Sequence, residues 1–250
     1  MRFEPRRALV FLVIAGIAGA CLFLPAVTLI GSLFLPADPP RATAHVPPLM
    51  GEAIWAKTLG GRSSALQPIN PFTLGRMISC HVLAERYPDE QKDAQHDECF
   101  KLIPAVQGVA YVSSIHMRTQ GVWQDPRVPF VQIAEMTKLA DTWTRAELVD
   151  ALAERGEFIL GIQGVYQASH AFFGRPVAEL SLPQTALIAG LLGQRRADPW
   201  CAPEQAAAVR RRVLDRMADN GVIDDAAAQS ANVAELGLID PPDGHQPCKP

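Results

Sequence analysis

The chain has no excess of basic side chains. Its 23 lysine and arginine residues stand against 26 aspartate and glutamate residues, which gives a formal net charge of −3 at pH 7. Because nucleic-acid binding depends on concentrated positive charge, this balance argues against a nucleic-acid partner. The sequence also lacks an internal repeat, so a solenoid or propeller built from repeated units is not expected.

Cysteine is scarce as well, with five residues in a chain of 250. Cys21 lies in an apolar run, and the other four are Cys80, Cys99, Cys201 and Cys248. Their spacings match no zinc motif, so the cysteines predict no metal site. Four cysteines allow three disulfide connectivities, of which chain order favours Cys80 with Cys99 and Cys201 with Cys248. Free buried thiols are the alternative.

A long apolar run is present near the N-terminus. Residues 8–35 carry no charged side chain, and about 20 apolar residues suffice to span a bilayer. Three arginines and a single acid precede the run, so the positive-inside rule predicts that residues 1–7 are a cytoplasmic tail. We therefore predict a single transmembrane signal anchor at 8–35, with the rest of the chain on the far side of the membrane.

Cleavage of this segment is the alternative to an anchor. The small residues 18–20 resemble a signal-peptidase site, and Cys21 resembles the end of a lipoprotein signal. The apolar run nevertheless continues to Leu35, where a mature N-terminus is usually polar. This continuation favours an uncleaved anchor.

The part beyond the anchor has the length of one domain, or of one domain with two lobes. Residues 36–48 contain five prolines, which predicts an extended, stiff stalk. Residues 49–240 then form the domain, and residues 241–250 a C-terminal tail.

The domain is predicted to be mainly α. Short helices are expected at 49–58 and from Asn70-Pro71 to about residue 86, followed by a polar insertion at 87–101. Thr144 and Glu147 have the spacing of a capping box, so a helix should begin there. A buried helix is expected at 182–192, where nearly every residue is apolar, and an amphipathic helix at 204–220.

A series of short motifs connects the second half of the chain to a known family. In order, they are Gly164-Val165, Phe172-Phe173-Gly174-Arg175, Glu179-Leu180-Ser181-Leu182, Ala186-Leu187-Ile188-Ala189-Gly190-Leu191, Pro203-Glu204, Arg211-Arg212-Val213-Leu214-Asp215-Arg216-Met217 and Gly221-Val222-Ile223. Their order and spacing over residues 144–225 resemble glycosyltransferase family 51. This is the peptidoglycan glycosyltransferase domain of class A penicillin-binding proteins and of monofunctional transglycosylases.

The resemblance implies a lysozyme-like, two-lobed helical domain behind a single transmembrane helix. It implies an enzyme of cell-wall biogenesis at the bacterial inner membrane, with its domain in the periplasm. The implied partners are the bilayer, undecaprenyl-linked peptidoglycan precursor or glycan strand, and cell-wall synthesis proteins. The family also allows a divalent metal, although the sequence itself shows no cofactor.

The family's catalytic motifs fit this sequence poorly. Aligned on the family, Thr58 stands about where the general base belongs, and Gln132 takes the place of the second glutamate. The acids that could substitute are Glu52, Glu135 and Glu154. A weak echo of the family's second motif gives Ser113, Ser114 and Arg118 as candidate binding residues, and Lys138 is a further candidate as a cation that could replace the missing diphosphate-binding groups.

This pattern favours a degenerate relative that binds lipid-linked precursor or glycan without turnover. One alternative is an active glycan-strand polymerase, a hexosyltransferase that uses relocated carboxylates. A purely structural module of the cell envelope is the other.

Overall fold

The computed structural model describes residues 25–62, 65–84, 86, 99, 103–194, 197–241, 245 and 248. Within these ranges the chain is mainly helical, as predicted. An isolated antiparallel β-bridge joins Glu157 and Gln163. The helices are α1 (Pro48–Lys57), α2 (Pro71–Ala84), α3 (Val106–Thr119), α4 (Val128–Thr142), α5 (Arg145–Arg155), α6 (Gly164–Phe173), α7 (Leu182–Leu191), α8 (Pro203–Asp219) and α9 (Asp225–Val233).

Most of the predicted anchor lies outside the described residues. Its last part contains a helical segment at 25–32. Among the residues that the structure describes, no helix combines the length and the apolar character needed to cross a membrane.

The chain divides into two compact units. The first contains residues 1–39, 67–103 and 116–142, and the second contains residues 40–66, 104–115 and 143–250. The division falls within α3, so this helix contributes residues to both units.

The second unit is built around α7. Residues 184–191 of this helix are all buried, and it packs against α1, α6, α8 and α9. Helix α8 presents Val209, Val213, Leu214 and Met217 to this core, while its other faces carry charged side chains. The sequence predicted both helices within one or two residues, because each has an unambiguous hydrophobic pattern.

Local capping sets the ends of these helices. At the start of α5 the Thr144 side chain accepts a hydrogen bond from the Glu147 backbone N–H, and the Glu147 carboxylate accepts one from the Thr144 N–H. The predicted capping box is therefore confirmed. Helix α7 stops before Gly193, whose φ of 73° lies in the left-handed region that glycine tolerates best.

The region predicted as a polar insertion, 87–101, lies outside the described residues except for Cys99. The structure pairs Cys80 with Cys99, at a Cα–Cα distance of 5.6 Å, in the first unit. It pairs Cys201 with Cys248, at a Cα–Cα distance of 5.1 Å, in the second. These are the two pairings that chain order favours.

Gly190 lies where α7 packs closely against α8. A Cβ atom at this position would lie 2.9 Å from the Val209 carbonyl oxygen. We expect overpacking in Gly190→Ala to lower the free energy of unfolding by about 1–3 kcal/mol. The better helix propensity of alanine should offset up to about 1 kcal/mol of this loss. Gly75→Ala, on α2 with nothing within 4 Å of its Cβ, is the control and should be neutral or stabilising. Equal effects in urea denaturation would contradict a tight helix contact.

Candidate functional site

An acidic face on α5 holds the end of the predicted stalk. Asp150 is buried, and its carboxylate lies 2.6 Å from Nδ1 of His45 and accepts a hydrogen bond from the Val46 N–H at 3.0 Å. Glu154 lies one turn further along and accepts hydrogen bonds from the N–H and hydroxyl of Thr43, at 2.7 and 3.2 Å. These contacts fix residues 41–46, which we call the clasp segment, on the second unit.

The third acid of this face, Glu147, combines capping with an ion pair. Its carboxylate lies 2.9 Å from the Arg41 guanidinium, which also stacks 4.7 Å from the centre of the Trp143 ring. The hydrogen bond from the Thr144 backbone lowers the pKa of Glu147 below its ordinary value, and Arg41 adds to the effect. The negative charge of this residue therefore stabilises the folded chain.

This pKa shift predicts a pH dependence. Because the folded pKa of Glu147 is depressed, its contribution is present above the unfolded pKa and disappears as the pH falls through the folded pKa. We expect Glu147→Gln to lower the free energy of unfolding by about 0.5–1 kcal/mol at pH 7. The difference from the parent protein should begin to shrink as the pH falls below the unfolded pKa of about 4.3 and should close once the pH is below the folded pKa. A difference that persists unchanged at pH 3, measured by denaturant titration, would contradict this origin.

Glu52 is a candidate base that the structure places in an ion pair. Its carboxylate lies 2.5 Å from the Arg145 guanidinium, which in turn stacks 4.7 Å from the centre of the Trp55 ring. A cavity of about 230 Å³ adjoins this pair, with His45 and Asp150 among its lining residues. Small-molecule sites typically have volumes of about 300–1,000 Å³. The cavity is therefore small for a lipid-linked disaccharide.

Glu135 is the most deeply placed of the candidate acids. It lies on α4 in the first unit, 2 % exposed, with its carboxylate 2.5 Å from Nδ1 of His116, which is 5 % exposed. His116 is therefore a buried, hydrogen-bonded residue of the first unit. Gln132 lies one turn earlier on α4 and is half-buried.

The candidate binding residues have varied environments. Ser113 is fully buried, and the Ser114 hydroxyl donates to the Ala110 carbonyl oxygen within its own helix at 2.8 Å. The Arg118 guanidinium lies 5.8 Å from the centre of the Trp123 ring. Lys138 is an exposed residue that forms an ion pair with Asp38. The two serines belong to the second unit and Arg118 and Lys138 to the first.

Thr58, the residue that the sequence resemblance predicts near the position of the general base, is 5 % exposed and lies at the end of α1. Its hydroxyl donates to the Trp55 carbonyl oxygen at 3.0 Å. Thr58 and Gln132 offer no anionic oxygen, so these positions do not fit the divalent metal that the resemblance allows.

Among the described residues, one group of three potential metal ligands comes together elsewhere. It consists of Asp198, Cys201 and His245, whose ligand atoms all lie within 4.8 Å of one another. Cys201 forms the disulfide with Cys248.

Comparison with known proteins finds a family similarity in part of the chain. The family model described as Transglycosylase matches residues 124–218. This segment is similar to the transglycosylase family. The match extends about 20 residues before the motifs that carried the resemblance at 144–225, so it takes in α4 with Gln132 and Glu135.

Curated relatives agree with this assignment. Penicillin-binding protein 1A of Mycolicibacterium smegmatis is 34% identical over 91 residues, which are 36% of this chain and 12% of the relative. Penicillin-binding protein 1C of Escherichia coli is 37% identical over 82 residues, 32% of this chain and 10% of the relative. The aligned region thus spans about a tenth of the length of these relatives. The likeness concerns the transglycosylase segment.

Sequence reasoning missed the clasp segment. Glu147, Asp150 and Glu154 recur at spacings of three and four residues, so they lie on one helix face. That signal predicts an acidic face but not its occupant, because the partners lie about 100 residues earlier in the chain. The group around Asp198 was missed because His245 lies 47 residues later in the chain.

Proposed function

We propose that the protein is a membrane-anchored, transglycosylase-like protein of bacterial cell-wall synthesis. It binds lipid-linked peptidoglycan precursor or glycan strand without polymerising it. The anchor at 8–35 holds the domain on the periplasmic side of the inner membrane, where such substrates are found.

The proposal rests on the missing catalytic carboxylates and on the contacts that engage the acids that could replace them. A glycosyl transfer of this type needs a general base within reach of the attacking hydroxyl and a group that stabilises the leaving diphosphate. The family positions hold Thr58 and Gln132, neither of which is charged. Of the three acids that could substitute, Glu52 is paired with Arg145, Glu135 is buried against His116, and Glu154 holds the backbone of the clasp segment.

The described end of the anchor supports a membrane location. Leu29 and Ile30, on the helical segment at 25–32, and Leu33, in the turn that follows it, are between 48% and 73% exposed. Gly31 packs toward α4 instead, where an added Cβ would meet the Phe130 carbonyl oxygen at 2.2 Å. These three apolar side chains are thus available to lipid acyl chains.

Polymerisation and binding can be measured separately on the full chain in detergent. Lipid-linked disaccharide-pentapeptide serves as the substrate for strand formation, and the same compound immobilised on a surface measures binding. A known polymerase is the positive control for the substrate. We expect no polymer above a protein-free blank, together with saturable binding to the immobilised precursor.

Two outcomes would overturn the proposal. Polymer formation that disappears in Glu52→Gln, Glu135→Gln or Glu154→Gln would show an active enzyme with relocated carboxylates. Glu204→Gln, on the exposed first turn of α8, is the matched control. If the protein forms no polymer and binds no precursor, while its circular dichroism shows a folded helical chain, the protein would instead be a purely structural module of the cell envelope.

A further inference from the structure

The side chains around the Cys201–Cys248 disulfide have the composition of a zinc site. Zinc in structural sites is held in a tetrahedron by cysteine sulfur, histidine nitrogen and, less often, carboxylate oxygen. Here two cysteines, one histidine and one aspartate lie together. We propose that Asp198, Cys201, His245 and Cys248 bind a zinc ion when the disulfide is reduced.

Two of the distances between the potential ligand atoms are close to those that zinc requires. Nε2 of His245 lies 2.9 Å from Oδ2 of Asp198 and 4.0 Å from Sγ of Cys201. With ordinary zinc bond lengths, a tetrahedral site separates nitrogen from oxygen by about 3.3 Å and nitrogen from sulfur by about 3.6 Å. Each of these two separations therefore needs to change by only about 0.4 Å, and the ligand atoms of Asp198 and Cys201 lie within 4.8 Å of each other. Both cysteine sulfurs become ligands once their mutual bond is broken.

The chain arranges these ligands in two pairs of equal spacing. Two residues separate Asp198 from Cys201, and two residues separate His245 from Cys248. Structural zinc sites commonly take ligands in pairs at this short spacing. The spacings among the cysteines alone hide the pattern, because each pair has one member that is not cysteine.

The surroundings hold the ligands in place. Oδ1 of Asp198 accepts hydrogen bonds from the N–H groups of Trp200 and Cys201, at 2.9 and 3.3 Å, so Oδ2 faces the histidine. The side chain of His245 is 7% exposed, and its ring packs edge-on at 5.2 Å from the Trp200 ring. The Trp200 indole N–H is itself fixed by the Ile239 carbonyl oxygen at 3.0 Å. Ligand orientation by such outer contacts is typical of metal sites.

The change between the two states balances as a thiol–disulfide exchange followed by metal binding. A dithiol reductant gives two electrons and two protons to the Cys201–Cys248 bond, which becomes two thiols, and the reductant becomes a cyclic disulfide. Zinc then replaces the two thiol protons, which are released to solvent, and the imidazole binds in its neutral form. The disulfide and the zinc site are alternative cross-links of the same tail.

The test uses the full chain with Cys80 and Cys99 both changed to serine, so that two thiols remain after reduction besides Cys21. After treatment with dithiothreitol and anaerobic desalting, zinc is titrated, and cobalt is used as an absorbing substitute. We expect one equivalent of zinc, a cobalt–thiolate absorption, and no binding by the oxidised protein. Circular dichroism before and after reduction checks that the fold persists.

Variants separate this site from adventitious binding to thiols. Cys201→Ser with Cys248→Ser should abolish binding in a chain that keeps Cys80 and Cys99. His245→Gln and Asp198→Asn should each weaken zinc binding more than tenfold, with the two thiols unchanged. Failure of the reduced protein to bind zinc would overturn the proposal. So would full affinity in both His245→Gln and Asp198→Asn.

Discussion

Replacing Glu135 with alanine is expected to lower the free energy of unfolding by about 3–5 kcal/mol. The Glu135 carboxylate and the His116 ring are both almost completely buried and hydrogen-bonded at 2.5 Å. Removal of one member leaves the other buried without the partner that compensates for its loss of water. Urea denaturation, followed by circular dichroism, measures the change.

Two further variants test the origin of this effect. Lys138→Ala, one turn along the same helix but exposed, should change the free energy of unfolding by no more than about 0.5 kcal/mol. The double change of Glu135 and His116 to leucine removes both polar groups, so it should be less destabilising than Glu135→Ala. If Glu135→Ala changes the free energy of unfolding as little as Lys138→Ala does, the carboxyl group of Glu135 is accessible to water. Glu135 would then again be a candidate for the catalytic base.

The sequence predicted the second unit well, because its signals are local. The buried helix at 182–192 and the amphipathic helix at 204–220 follow from hydrophobic pattern, and the start of α5 follows from Thr144 and Glu147. The motifs that carried the family resemblance lie largely in this well-patterned region. Gly190 illustrates why such a motif is structural, since its missing side chain lets two helices meet.

The candidate site was less predictable, because its contacts join distant parts of the chain. An isolated Glu154 looks like any acid that could serve in catalysis, and only the fold shows that it binds the backbone of Thr43. Glu52 is likewise engaged by Arg145, more than 90 residues later. Spacing rules describe neighbours on one helix and do not reach such pairs. Relocated catalysis would therefore require these acids to leave their present partners.

Placing a glutamate at position 58, where the sequence resemblance predicts the family's general base, is expected to damage the fold. Thr58 is 5% exposed, and its Cγ2 methyl lies 3.1 Å from the point where a Cβ on Gly108 would stand. A longer side chain here has little room, and a carboxylate would lose its water. We expect Thr58→Glu to be destabilising and to yield no glycan polymer, because Gln132 would still replace the second carboxylate.

A comparison with Thr58→Gln isolates the charge from the loss of space. Both variants carry a side chain of the same length, so their packing costs should match. A buried glutamate stays protonated in the folded protein, whereas in the unfolded chain, with a pKa of about 4.3, it is ionised at pH 7. Protonating the carboxyl group on folding at pH 7 therefore costs about 4 kcal/mol of stability. Because its folded pKa is raised, the extra destabilisation of Thr58→Glu over Thr58→Gln should be largest at pH 7. It should shrink by about 1.4 kcal/mol per pH unit toward pH 4. Equal stabilities of the two variants at pH 7 would mean that the side chain at position 58 reaches water. The fold would then accept a charged base at this position, and the threonine alone would account for its absence.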